Sequence, residues 1–392
     1  MTFLDFCDHL IKKMCSSFKL SHKKKNEKKH KEIIKRDWDE FQECIDKKDW
    51  AQLEQKIDNR KYVSRYALSM FVWSCDYDRD HPAMDTELAE KLFEKIFVKS
   101  YLDNTSDKKL LEDILQILSV CNMPKACKRL IEFGVNPNCL SGWHFTPLIL
   151  SVRSGSEDVC RYLLTVPDID LEVRGHDGGE TALQEAIARK NWTLSRMLLE
   201  KGANPNTTNT LGFTPLMKAV QHGNFEICKL LLQKGANPNS QTGSNFLDKF
   251  SHTTALVLAC QSEKPQASKI CELLISHAGI DLNKQDKGGN TAIMYAAQNF
   301  GLKDVFIKLL SAGVRTDIRN NQNQDLYDIL KTNKDKSADA CYLYDSYIQF
   351  MDKYREKSLS ETLSQENISP SKIASQTPQN TISQENRVMS RD

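Results

Sequence analysis

Gly212-Phe213-Thr214-Pro215-Leu216-Met217-Lys218-Ala219, then Gly223-Asn224-Phe225-Glu226-Ile227-Cys228-Lys229-Leu230-Leu231-Leu232, then Gly235-Ala236-Asn237-Pro238-Asn239: this stretch decides the fold. It reads as one complete unit. Thr214 is placed to cap a helix, and Pro215 falls in the first turn, where no N–H is needed. A short turn at Gly223 leads into a second helix that ends in leucines. Gly235 then supplies a left-handed C-cap, and Asn237, Pro238 and Asn239 hold the chain in the extended path beyond it.

Outward from this unit the chain repeats itself. The Thr-led opening recurs at Thr146-Pro147-Leu148, Thr181-Ala182-Leu183, Thr254-Ala255-Leu256 and Thr291-Ala292-Ile293; with Thr214 included, the separations are 35, 33, 40 and 37 residues. The closing turn recurs at Gly134-Val135-Asn136-Pro137-Asn138 and Gly202-Ala203-Asn204-Pro205-Asn206. Self-similarity at this period marks stacked two-helix units, a solenoid in which each unit contacts only its neighbours. Solenoids usually bind other macromolecules and do no chemistry of their own.

The unit at Gly212–Asn237 resembles an ankyrin repeat almost position by position, with Met217 standing where that family commonly has His. The resemblance extends over residues 107–354. It implies an all-α solenoid of antiparallel helix pairs with β-hairpin fingers projecting from one edge. The first unit, around Leu110–Gly134, lacks the Thr-Pro-Leu opening, and the last, at Asp325–Leu330, is degenerate. Terminal repeats need a polar outer face, so atypical ends are expected. The finger before Thr254 is enlarged by Ser244–Phe250, and the finger before Thr146 carries Trp143, His144 and Phe145.

The flanks differ in composition. Residues 1–18 form an amphipathic helical pattern, with Phe3, Cys7, Leu10 and Met14 on one face. Residues 19–36 are basic, holding Lys23-Lys24-Lys25, Lys28-Lys29, Lys31 and Lys35 against Glu27 and Glu32. Residues 37–106 read as a helical N-terminal domain or cap, in which Leu88, Leu92 and Ile96 make one stripe. Residues 355–392 are rich in Ser, Gln, Asn and Glu and are expected to be disordered, because they hold too little apolar surface to offset chain entropy.

Composition excludes several classes. The net charge of +2 on 392 residues is not that of a protein built to coat nucleic acid. The twelve cysteines include no CxxC pair and fit a reducing compartment. No apolar run approaches the ~18–20 residues of a membrane span. The N-terminus is a poor secretory signal, with Asp5, Asp8, Lys12 and Lys13 interrupting its apolar residues. No dinucleotide, P-loop, zinc-protease, nucleophile-elbow or EF-hand motif occurs. Catalytic, cofactor and metal residues are therefore expected to be absent.

Aligned on the terminal Gly of each unit, Cys127, Cys160, Cys228 and Cys271 share one repeat position. That slot faces the neighbouring helix, so these thiols are expected to act as small core hydrophobes. The partner-binding expectation falls on two sets. Finger residues are Trp143, His144, Phe145, Leu211 and Phe213, and the aromatic ones are of a type enriched at binding hot spots. Residues after the first-helix core line the concave groove by the family's geometry: Arg153, Arg189, Gln221, His222, Gln261 and Gln298. Both sets are expected along one edge of the stack.

The expected function is that of a non-enzymatic adaptor for a protein partner in the cytoplasm. An enzyme with a catalytic module in residues 37–106 is the alternative. The N-terminal segment 1–36 reads as a packed helix with a solvated linker, as an attachment to an anionic membrane surface, or as a nuclear-import or nucleic-acid patch. The layout also resembles ankyrin-repeat effectors that intracellular bacteria such as Legionella and Coxiella inject into host cells. The polar C-terminus is similar to a type IV secretion signal.

Overall fold

The computed structural model describes residues 43–44, 47, 49–59, 86–99, 108–141, 144–175, 178–243 and 251–365. The expectations for residues 1–36, for Trp143, for Ser244–Phe250 and for the tail beyond 365 lie outside the described residues. The chain divides into two compact units, residues 1–280 and 281–392.

In the first unit, α1 (Trp50–Asp58) is capped by Asp49, whose carboxylate accepts from the Gln52 N–H at 2.9 Å. Helix α2 (Thr86–Lys99) buries Leu92, Phe93 and Ile96, the stripe expected from its spacing. Lys95 ties the two helices together through Glu54 at 2.5 Å and Asp58 at 2.7 Å.

Five helix pairs follow. They are α3 (Lys108–Val120) with α4 (Pro124–Glu132), α5 (Pro147–Ser154) with α6 (Glu157–Leu163), and α7 (Ala182–Ala188) with α8 (Trp192–Glu200). Then come α9 (Pro215–His222) with α10 (Phe225–Gln233) and α11 (Ala255–Cys260) with α12 (Ala267–Ile275). The first helices of successive pairs pack in one layer and the second helices in another, and α2 packs against α4. Helix α2 thus covers the outer helix that no preceding repeat would cover.

Four of the five expected Thr caps form, whereas the Thr291 side chain makes no cap bond. Thr146, Thr181, Thr214 and Thr254 each accept from the N–H three residues on, at 3.2, 3.4, 3.2 and 3.3 Å. Helix α4 begins after Met123, which has no side chain able to cap. Glu90 of α2 supplies the missing acceptor, taking the Lys125 N–H at 2.7 Å while its other oxygen pairs with Lys125 Nζ at 3.1 Å. A carboxylate there also complements the partial positive charge of the helix N-terminus.

The Asn-Pro-Asn turns do more than extend the chain. Asn138 donates to the Asp168 carbonyl at 2.8 Å and accepts from the Asp170 N–H at 2.9 Å. Asn206 repeats this with Gly235 at 2.9 Å and Asn237 at 2.7 Å. The second Asn of each motif is therefore a bracket to the next repeat.

The second unit holds α13 (Ala292–Ala296), α14 (Lys303–Ser311), α15 (Leu326–Asn333) and α16 (Ala338–Gln365). Asp325 and Asp328 form a capping box for α15, at 3.1 and 3.2 Å. Helix α16 extends beyond the boundary expected at 354/355. Its packing on α14 and α15 buries Leu343 and Tyr347 and carries the helical register into a polar sequence.

The expected β-hairpin fingers are tighter than hairpins, and no strand is formed among the described residues. In the first unit a finger closes by two backbone bonds, Ser141 N–H to Phe145 O at 2.9 Å and His144 N–H to Ser141 O at 3.0 Å, and another by Asn209 N–H to Phe213 O at 3.1 Å and Gly212 N–H to Asn209 O at 2.9 Å. The second unit has the same closure from Asp286 to Asn290 at 3.0 Å and from Asn320 to Gln324 at 2.9 Å. The fourth residue of each is left-handed: His144, Gly212, Gly289 and Asn323, with φ of 58, 78, 75 and 61°. The chain then enters the next helix at once, which leaves no length for a second rung.

Candidate protein-binding surface

The fingers are rigid because each first side chain closes its own turn. Asn209 Oδ1 accepts the N–H groups of Leu211 at 3.1 Å and Phe213 at 2.9 Å. Neighbouring fingers are linked by Thr210 N–H to Gly178 O at 2.9 Å and Gly243 N–H to Leu211 O at 3.0 Å. This leaves Leu211 held out on the finger, 43 % exposed, with Leu140 also 43 % exposed just before the first finger. His144 is exposed as well.

Two of the expected contact residues are core. Phe145 is 5 % exposed; its ring packs on Gly175, where a Cβ would collide with it, and the Arg153 guanidinium lies 4.5 Å above its centre. Phe213 is 6 % exposed, and its carbonyl takes the Gln184 side-chain N–H at 2.9 Å. Both follow the left-handed residue, which turns the side chain back toward the helices.

The groove cations are internally paired. Glu185 accepts from Arg189 Nε at 2.6 Å and lies 3.4 Å from Arg153 Nη1. Glu180 receives Lys218 Nζ at 2.5 Å and Asn209 Nδ2 at 3.2 Å. Sequence reading counted the arginines and missed both carboxylates. The signal for Glu185 was its place four residues before Arg189 on one helix. Gln184 was also missed: it fills the column held by Ile149, Met217, Val257 and Met294 elsewhere, and a lone polar residue in an apolar column needs buried partners. Its Nε2 finds them in the carbonyls of Thr207 at 3.3 Å and Phe213.

Arg153, Arg189, Gln221, His222 and Gln261 sit at or just past the C-terminal ends of the inner helices, whereas the fingers precede their N-terminal ends. The expectation of one shared edge is therefore corrected. Helix α9 has eight residues, so its ends are about 12 Å apart. Arg189 and Gln221 are exposed, Arg153, His222 and Gln261 half-buried. Gln298 lies in the second unit, where it is exposed. Lys190, Lys218 and Lys264 join partial burial in holding the His222 imidazole below its ordinary titration range, burial being the larger cause.

The repeated thiols are enclosed. Burial pushes Cys127, Cys160 and Cys228 up to about 12. Cys271 is fully buried and lies 3.9 Å from Cys260 Sγ within one helix pair, a contact between neighbours in the same repeat that repeat alignment does not reveal. Among the described residues no group of three His, Cys, Asp or Glu side chains is placed to hold a metal ion. Nor is any described helix long and apolar enough to cross a membrane.

The family described as ankyrin repeats matches three times, at residues 114–209, 167–242 and 240–320. The human transient receptor potential cation channel subfamily A member 1 is 32 % identical over 91 residues, which is 23 % of this chain and 8 % of that protein. The match thus spans less than a tenth of the channel's length. An ankyrin repeat domain from Acinetobacter baumannii AYE is similar at 23 % identity and a TM-score of 0.46, covering 51 % of this chain and 98 % of that one. With the family profile matched across more than half of its residues, the chain belongs to the ankyrin-repeat family.

Proposed function

We propose that the protein is a non-enzymatic adaptor that grips a protein partner along its finger edge. Ankyrin repeats are protein-interaction modules, which supports the protein-binding role at the coarser level. The observation that carries the finer reading is Leu211. An apolar side chain 43 % exposed on a turn closed by four hydrogen bonds is preorganised, so little conformational entropy is lost when a partner covers it. His144 lies on the finger two repeats earlier with Leu140 just before it, and Trp143 adjoins them in sequence. The groove contributes less charge than its arginines suggest, because Glu180 and Glu185 neutralise it.

A photo-crosslinking amino acid at position 211 tests this. The adaptor reading expects capture of a discrete partner from host lysate at 211 and none at Lys229, which is exposed on the outer helix α10. Equal capture at both positions would contradict it.

The reading extends to an effector delivered by an intracellular bacterium into host cytoplasm. Its support is the solenoid layout and the polar Ser- and Glu-containing sequence after residue 365. Anchoring of residues 1–36 on an anionic membrane is part of the same proposal, supported by the lysine run between residues 23 and 35. Vesicle flotation at low and high salt checks it, since lysine–lipid attraction is screened by salt.

A further inference from the structure

A second surface lies at the opposite ends of the inner helices. A cleft of about 590 Å³ opens there between three consecutive outer helices, with Trp192 and Arg196 from α8, Phe225 and Glu226 from α10, and Lys269 from α12 with Gln266 just before it. His222 and Gly223 complete it. The Trp192 and His222 rings meet edge-on at 6.1 Å, and the Gln266 side chain accepts the Phe225 N–H at 3.2 Å, so the walls are fixed across repeats. The stem of Lys264 lies on Gly223, where an added Cβ would press against it at 3.0 Å.

The charge around this cleft is unbalanced. Lys190, Lys218 and Lys264 all act on His222. Lys218 is neutralised by Glu180. Lys190, Arg196, Lys264 and Lys269 make no ion pair among the described residues, and Glu226 is the one carboxylate in the lining. This contrasts with the groove, where every arginine is paired. Lys190 and Arg196 belong to the repeat of α8 and Lys264 and Lys269 to the repeat of α12, so the cations come from the repeats on either side of α10. Helices pack ~8–10 Å apart, so three outer helices span about 20 Å. An extended chain advances ~3.3 Å per residue, so about six residues cover that span.

We propose that this cleft binds an extended acidic peptide of about six residues, its carboxylates paired with Lys190, Arg196, Lys264 and Lys269 and an apolar side chain seated against Trp192 and Phe225. Cations drawn from the repeats on either side of α10, beside an aromatic wall, favour a peptide over a compact anion. Glu226 within the lining disfavours a continuous phosphate backbone. The site is separate from the finger edge, so the two surfaces can hold two partners, or two parts of one.

The test uses the full chain and a fluorescein-labelled hexapeptide of alternating Glu and Phe, with Gln/Phe and Lys/Phe hexapeptides and a single-stranded oligonucleotide as comparisons. Anisotropy should show binding of the Glu/Phe peptide that weakens with salt, and weak or no binding of the others. R196E/K269E, two exposed sites, should weaken it tenfold or more with an unchanged unfolding midpoint. W192A should weaken the peptide at low and high salt alike, while L211D leaves it unchanged, which separates this site from the adaptor reading. Equal binding of the Gln/Phe peptide, stronger binding of the oligonucleotide, or full affinity in the folded R196E/K269E protein would overturn the proposal.

Discussion

Arg189 Nε donates to Glu185 Oε1 at 2.6 Å, and the same oxygen faces Arg153 from the preceding inner helix at 3.4 Å. One carboxylate thus links two repeats and offsets part of the charge of two arginines. Glu185 is 7 % exposed, whereas both arginines keep contact with water. Glu185→Gln should lower stability by about 1–2 kcal/mol, less than for a fully enclosed pair because the arginines remain partly solvated. Urea unfolding of the variant measures this. A loss below ~0.3 kcal/mol would show that the pair contributes nothing to stability.

Gly212 joins two requirements at one backbone position. Its φ is +78°, and a Cβ there would collide with the backbone of Gly243 on the next finger. Gly212→Ala should therefore cost about 1–3 kcal/mol and splay the fingers at Leu211. Gly235, also left-handed, has open space at its Cβ position and serves as the comparison. Gly235→Ala should cost less. Equal losses would show that close approach between fingers adds nothing.

The fold was legible because its signals are local and repeated. Thr214, Pro215 and Gly235 each act on the next few residues, so spacing alone placed them. The fingers were less legible. Phe145 and Phe213 are large aromatics in loops, a pattern that suggests exposure. Their direction is set by the left-handed His144 and Gly212 before them, and that conformation is visible only once the turn is built. Glu90 capping α4 was hidden for another reason: acceptor and helix start are 35 residues apart. The cleft at Trp192 was not legible at all, because it is assembled from three repeats that sequence reading treats one at a time.

The thiols at the shared repeat position should be inert until the chain unfolds. With Cys127, Cys160 and Cys228 near 12, about one thiol in ten thousand is ionised at pH 8. Among the described cysteines, exposed Cys341 should react with a thiol reagent before those three, which react only after denaturation. The same shifts set a pH dependence. A thiol whose pKa is raised by folding favours the native state fully below its ordinary value of 9.0 and loses that contribution as pH rises toward 12. Stability should therefore decline above pH 9. Fast native-state labelling of Cys160 would remove it from the core.

Leu231 closes the second helix of the central repeat and is fully buried. Leu231→Ala should cost ~2–5 kcal/mol through lost transfer energy and the cavity left behind. Chemical denaturation reads this directly, and a change under ~1 kcal/mol would place Leu231 outside the core.

The central claim is that the finger edge holds the adaptor's protein partner. The measurement that tests it most directly is the affinity of the full chain for the captured partner, compared between the native sequence and Leu211→Asp, with the unfolding midpoint taken on the same samples. Leu211 is 43 % exposed on its finger, so the midpoint should stay put while affinity falls by ~2 kcal/mol or more, about thirtyfold. Unchanged affinity at an unchanged midpoint would contradict the claim and move the interface off the fingers.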